Sequence, residues 1–183
     1  MSDLEIFSLL MSAIIHDYNH TGTTNNFHIQ STSDLAIVYN DKSVLENHHV
    51  AAFFRTMVDN ECNILSNFSK FEFHKLRSLM IEMVLGTDMS MHFTHLKQMK
   101  ASLGPTASVE TVDKTKVMCL LLHSADVAHP TKTWSLHKEW TARCMEEFFS
   151  QGDREKELGL DVSPLCDRNT TTVPQSQIGK IFE

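Results

Sequence analysis

At 183 residues the chain is long enough to bury a sizeable core in one domain. Its formal net charge of -7 opposes a nucleic-acid partner, since phosphate backbones attract Lys and Arg. With 42% hydrophobic and 21% charged residues it has the balance of a soluble globular protein.

The first apolar stretch, 6–15, contains two serines and falls far short of the ~20 residues that span a bilayer. Asp3 and Glu5 before it and His16-Asp17 after it are wrong for a signal peptide, so it reads as a core helix. Ser2 with Glu5 forms a capping-box pattern, and the helix is expected to run to about His20, where Thr21-Gly22-Thr23-Thr24-Asn25-Asn26 supplies turn chemistry. Ser43 with Glu46 starts a second helix through Leu45, His48, His49, Ala52 and Phe53, and Ser69 with Glu72 starts a third that ends near Gly86. Helices follow over 90–103 and 112–125, separated by the loop Leu103-Gly104-Pro105-Thr106-Ala107-Ser108. A long amphipathic helix is expected over 135–151, stopped by Gly152, with loops at Asp161-Val162-Ser163-Pro164 and Val173-Pro174. No run of β-branched residues alternates cleanly, so the chain reads as all-α and as one domain without repeats.

Eleven histidines make metal chemistry worth testing. The cysteines Cys62, Cys119, Cys144 and Cys166 show no Cys-x-x-Cys spacing, which excludes a zinc ribbon and fits reduced thiols in the cytoplasm. His16 and His20 would share a face of the first helix, about 5.4 Å apart, although such a pair is also ordinary polar decoration. Asp17 intervenes and a helix break follows, so His16 and Asp17 can turn toward one divalent metal. Downstream, Asp126 ends an apolar run of Met118, Leu120, Leu121 and Leu122. A carboxylate there is costly unless paired or metal-bound, or else it marks a plain polar helix end before His129-Pro130. Glu46-Asn47-His48-His49 would supply outer or water-holding groups, or simply a solvated face. A site of this kind hydrolyses phosphate esters. The zinc-protease motif His-Glu-x-x-His is the rival for 16–20, but Asp17 is one methylene short as its base and the turn follows too soon.

The stretch His16-Asp17-Tyr18-Asn19-His20-Thr21-Gly22-Thr23-Thr24-Asn25-Asn26-Phe27 resembles the second metal-binding segment of the class I 3',5'-cyclic-nucleotide phosphodiesterases. Tyr39-Asn40-Asp41, Ser43-Val44-Leu45-Glu46-Asn47-His48-His49, Thr87-Asp88-Met89-Ser90 and His123-Ser124-Ala125-Asp126 follow in that family's order. So do Met145-Glu146-Glu147-Phe148-Phe149, Gln151-Gly152-Asp153, Ser163-Pro164-Leu165-Cys166-Asp167 and Ser176-Gln177-Ile178-Gly179. Glu157-Leu158-Gly159-Leu160 and the 21–30 segment are most similar to the calmodulin-stimulated subfamily.

The resemblance implies an all-α, multi-helix bundle of the HD-domain type and hydrolysis of cyclic AMP, cyclic GMP or both to 5'-nucleoside monophosphates in cytoplasmic signal transduction. It implies two metals, a tight Zn2+ and a second-site Mg2+, with His16, Asp17 and Asp126 as zinc ligands and Asp17 bridging. His20 would bond the phosphate, Glu46, His49 and Thr87 would hold metal-bound waters, and Glu147 would orient the leaving-group acid. Gln177 would receive the purine edge, while Met89, Val127, Leu165 and Ile178 form apolar wall. His129 stands where the subfamily uses both nucleotides.

Two departures set further expectations. The family's upstream His-Asn-x-x-His segment, source of the acid and of one zinc ligand, has no counterpart before His16, and Lys180 stands where the family has a base-stacking Phe. Residues 1–183 are therefore expected to form a partial catalytic domain, truncated at both ends. The alternative is an inactive metal- or nucleotide-binding module that pairs with a full-length subunit or with itself as a homodimer. Calmodulin would act only through segments upstream of the catalytic domain, because this chain has no basic amphipathic helix of that kind.

Overall fold

The computed structural model describes residues 1–102 and 113–175. The loop expected over 103–108 and the expected site residues Gln177 and Ile178, with Lys180, lie outside them. Every regular element among the described residues is helical, as the sequence pattern requires, and they group into two compact units.

The first unit comprises 1–19 and 45–127. It is built from α1 (Asp3–Ile15), α4 (Val44–Thr56), α5 (Lys70–Leu85), α6 (His92–Ser102) and α7 (Lys114–Asp126), with a 3-10 turn at Met89–Met91. Ser2 with Glu5 and Ser69 with Glu72 form reciprocal capping boxes, so both helices start where the sequence says. Helix α5 is central: α1 and α7 both pack on it. Leu76, Met80 and Val84 of α5 join Ile15, Val50, Phe53, Phe54 and Leu65 in one core cluster. Its Met83 joins Met118, Cys119 and Leu122 of α7 in another. No described helix is long and apolar enough to cross a membrane.

The second unit comprises 20–44 and 128–183. It holds α2 (Asn25–Gln30), α3 (Asp34–Tyr39), a 3-10 turn at His129–Thr131 and α8 (Trp134–Glu157). The two short helices open on Thr24 and Ser33, whose hydroxyls accept from the N–H groups of Phe27 and Ala36.

Five expectations change. Helix α1 stops at Ile15 instead of His20, because the Ala13 carbonyl receives His16 Nδ1 and Asn19 turns the chain at φ 60. The i, i+4 helical spacing of His16 and His20 therefore does not apply. Asp88 caps the 3-10 turn through Ser90 N–H, so α6 begins at His92 and not Ser90. Asp113 caps α7 and shifts it to 114–126. Gly152 lies inside α8 instead of ending it, and residues 173–175 are helical rather than loop.

Helix α8 runs on to Glu157, and Gly159, two residues further, takes the left-handed turn at φ 69. Leu160 N–H donates to the Glu155 carbonyl and Gly159 N–H to that of Lys156, the paired bonds of a Schellman motif. Gly152 has a packing role: a Cβ there would lie 2.0 Å from the Cys166 carbonyl oxygen. We expect Gly152→Ala to cost about 2–3 kcal/mol and to lower the melting temperature by roughly 5–10 °C. An unchanged melting curve would mean that the helix and the 160s loop do not meet backbone to backbone.

Candidate metal centre

The irregular end of α1 and the last turn of α7 carry the principal cluster, within the first unit. His16 Nδ1 donates to the Ala13 carbonyl at 2.9 Å. That bond fixes the tautomer of the neutral ring and leaves Nε2 as the free ligand atom, the usual outer-sphere device of a metal-binding histidine. His16 Nε2 faces Asp17 Oδ2 and Asp126 Oδ1, each at 3.3 Å. One ligand atom from each of His16, Asp17 and Asp126 lies within 4.8 Å of the others.

An imidazole nitrogen and two carboxylates converging from separate elements suit a borderline or hard divalent cation, so the donor set fits zinc or magnesium. His49 stands beside it and is oriented in the same way. Its Nδ1 bonds the Tyr18 carbonyl at 2.8 Å, and its Nε2 faces Asp17 Oδ1 at 3.8 Å. The ring is buried, so its direction is set by packing as well as by that bond.

The other expected residues of this unit are placed but do not all converge on the cluster. Glu46 lies in the first turn of α4. Thr87 is buried just after α5, and its hydroxyl donates to the Val84 carbonyl at 2.7 Å. Met89, in the 3-10 turn, and Val127, capping α7, are both exposed.

In the second unit His20 Nδ1 accepts the Gly22 N–H at 3.0 Å, so its neutral ring carries the proton on Nε2 and presents a donor. Residues 21–23 and Glu147 line one cleft of about 550 Å³, with Arg143, Arg154 and Gln151. His129 stacks on His137, ring centroids 5.1 Å apart. Leu165 is half-buried at φ 65, a left-handed conformation rare for a branched apolar residue.

Sequence reasoning missed the groups that hold these segments. Gln151 and Glu155 of α8 are buried, though in the sequence they read as the polar side of an amphipathic helix. The signal available was weak: Gln151-Gly152 places a small residue beside a polar one in mid-helix.

Hydrogen bonds to Asp126 and then Asp17 push His16 up to about 10, from an ordinary 6.5. Without metal the ring is an imidazolium held by two carboxylates. A raised histidine pKa gives stability that is complete below the unfolded value and is lost as pH rises through the folded one. Melting temperatures measured in chelator should therefore fall from pH 6.5 toward pH 10, and Asp126→Asn should flatten that slope. A divalent metal bound at His16 Nε2 would have to displace this proton, so adding zinc at pH 8 should release about one proton in weakly buffered solution. A slope that survives Asp126→Asn would show that His16 is not the group responsible.

The family model for 3'5'-cyclic nucleotide phosphodiesterase matches residues 1–182. The chain is 58% identical over 181 residues to the dual specificity calcium/calmodulin-dependent 3',5'-cyclic nucleotide phosphodiesterase 1B of Bos taurus, covering 99% of this chain and 33% of that protein. It is 57% identical over 182 residues to the corresponding phosphodiesterase 1C of Homo sapiens, of which it covers 25%. Among solved structures it is similar to the phosphodiesterase domain of the RhoPDE fusion protein from the choanoflagellate Salpingoeca rosetta. The TM-score there is 0.90 at 36% identity, over 99% of this chain and 59% of that one. The chain thus spans about a third of the length of the curated relative 1B, and nearly all of that span matches. With a family match from end to end and identity well above half, the chain belongs to the 3',5'-cyclic nucleotide phosphodiesterase family.

Proposed function

We propose that this chain serves metal-dependent hydrolysis of the 3' ester of cyclic AMP and cyclic GMP, giving 5'-nucleoside monophosphates. The observation that carries the reading is the convergence of His16 Nε2 with Asp17 and Asp126, the histidine already turned by its bond to Ala13. His16, Asp17 and Asp126 would hold a tight Zn2+, and Asp17 would share a second ion, Mg2+. Bound metals of this kind polarise a phosphoryl oxygen and lower the pKa of water.

The protein's own groups then have definite tasks. His49, fixed by the Tyr18 carbonyl, faces Asp17 and holds its carboxylate in place, with Glu46 and Thr87 ordering nearby water. His20 offers an Nε2–H donor to a phosphate oxygen, because its other nitrogen is occupied by Gly22. Glu147 would orient the acid that protonates O3' as the P–O3' bond breaks and water's oxygen bonds phosphorus, an acid that the family draws from its upstream His-Asn-x-x-His segment. By the family resemblance Met89, Val127, Leu165 and Ile178 would supply apolar contacts, Gln177 would meet the purine edge, and His129 would allow either base. A cytoplasmic location follows from the same reading, in keeping with four cysteines that form no disulfide.

A competitive zinc titration of the wild type beside Asp126→Ala tests the site. Loss of a direct ligand should weaken zinc by more than the ~10–100-fold typical of an outer-sphere change. Equal affinities would disprove a shared site between the end of α1 and α7. Metal-dependent turnover of cyclic AMP should disappear in Asp17→Ala, and turnover that survives would overturn the mechanism.

A further inference from the structure

Glu155 is fully buried in α8. Its carboxylate accepts three hydrogen bonds: from Gln151 Nε2 at 2.8 Å, from the Ser163 N–H at 2.7 Å and from the Ser163 hydroxyl at 2.6 Å. All are neutral donors, and among the described residues no Lys or Arg forms an ion pair with it. Stability alone does not explain such a group. Burying a carboxylate costs several kcal/mol, roughly, and a well-packed apolar side chain commonly does as well or better. What an apolar side chain cannot do is fix the direction of several donors at once.

Those donors belong to two segments that carry expected site residues. Ser163 opens the tight turn in which Cys166 N–H donates to the Ser163 carbonyl, and the residue carried at its corner is Leu165, at φ 65. A left-handed Leu costs of order 1 kcal/mol or more and persists only where its surroundings impose it. Here the surroundings are Glu155 on Ser163 and Gly152 against Cys166. On its other side the network runs through Gln151. Its Oε1 accepts Thr24 N–H at 2.8 Å, and its Nε2 donates to Thr24 Oγ1 at 3.2 Å. Thr24 ends the turn that begins at His20, and its hydroxyl caps α2. Asn26 Nδ2 closes the circuit by donating to Ser163 Oγ at 3.4 Å.

We propose that Glu155 is a positioning residue, whose buried carboxylate sets Leu165 through Ser163 and the His20–Thr24 turn through Gln151. The substrate side of this role rests on the phosphodiesterase reading, which gives Leu165 a base and His20 a phosphate to meet. Glu155 touches no reacting atom. It fixes the separation and register of two segments on which binding depends, and so acts on substrate affinity rather than on bond cleavage.

Hydrogen exchange and kinetics on the full chain, with zinc and magnesium, decide the matter. Glu155→Gln keeps the volume but aims an amide N–H2 at existing donors. Exchange across 20–24 and 160–166 should speed up about tenfold or more, while 114–126 and zinc affinity stay as in the wild type. KM for cyclic AMP should rise about five- to twentyfold with kcat within about twofold, as for lost binding held equally in ground and transition states. Ser163→Ala, which removes one arm, should loosen 160–166 and spare 20–24, and it decides the question if Glu155→Gln does not fold. Unchanged exchange in folded variants, or a fall in kcat at constant KM, would overturn the positioning role. Altered exchange beside a wild type that does not turn over cyclic AMP would sink the phosphodiesterase reading and the substrate role with it. That result is distinct from the first, in which turnover proceeds and the segments stay fixed.

Discussion

The bond from His16 Nδ1 to the Ala13 carbonyl is the constraint on which the first unit's chemistry depends. It acts twice. It helps to end α1 at Ile15, which frees His16 and Asp17 from helical geometry, and it commits one ring nitrogen so that the other can face carboxylates. On a helix, neighbouring residues point about 100° apart and would not meet at one ion. In the irregular turn the two side chains come within 3.3 Å of each other, with Asn19 at φ 60 carrying the chain onward. The apolar packing of α1 on α5 and of α5 on α7 sets the distance to Asp126, so the core is what converts three scattered residues into one cluster.

The two units solve their structural problems differently. The first has a conventional core of Leu, Met and Phe side chains, with Leu76, Met80 and Met83 wholly buried. The second contains two helices of six residues and a long loop after α8, which cannot bury enough apolar surface to define their own positions. Directional bonds take over there. Buried Gln151, Glu155 and Ser163 order the interior, while the exposed pairs Lys156–Asp167 and Arg168–Asp153 fasten the loop from outside. Exposed pairs contribute little each, ~0–1 kcal/mol, so the interior bonds carry the specificity.

What could be read from the sequence follows the same division. Ser2, Ser69 and the apolar spacing of α5 announce their helices, since capping and periodicity are local properties. That His16, Asp17 and Asp126 belong together was suggested by the ordered likeness of short motifs and by the cost of an acidic group beside an apolar run, and their side chains do converge. Not legible was where α1 stops, because that depends on a side chain reaching back to a carbonyl, and the spacing of His16 and His20 suggested continuation. Gly152 read as a stop because glycine usually is one, whereas its cause is a backbone packed against it from a residue fourteen positions on. Glu155 and Gln151 were hidden for a related reason: burial of a polar residue is decided by what folds over it, and no local pattern reports that.

Asp126 shows why the cluster needs a positive charge beside its carboxylates. It is the final residue of α7, where the helix dipole is negative and a carboxylate is disfavoured. One turn earlier His123 is buried, with Nδ1 unpartnered and Nε2 bonded to His92 Nδ1 at 2.8 Å. Burial, followed by the neighbouring His92 and His95, pushes its pKa down despite the attraction of Asp126. The nearest basic side chain on the same helix therefore stays neutral at ordinary pH and does not compensate the carboxylate. The positive charge has to come from outside α7. It comes from His16, whose pKa is raised by Asp126 before any other group, and in the proposed metal site a divalent ion would replace that proton. The arrangement leaves Asp126 poorly served by its own helix, and this keeps its charge directed at His16 across the cluster.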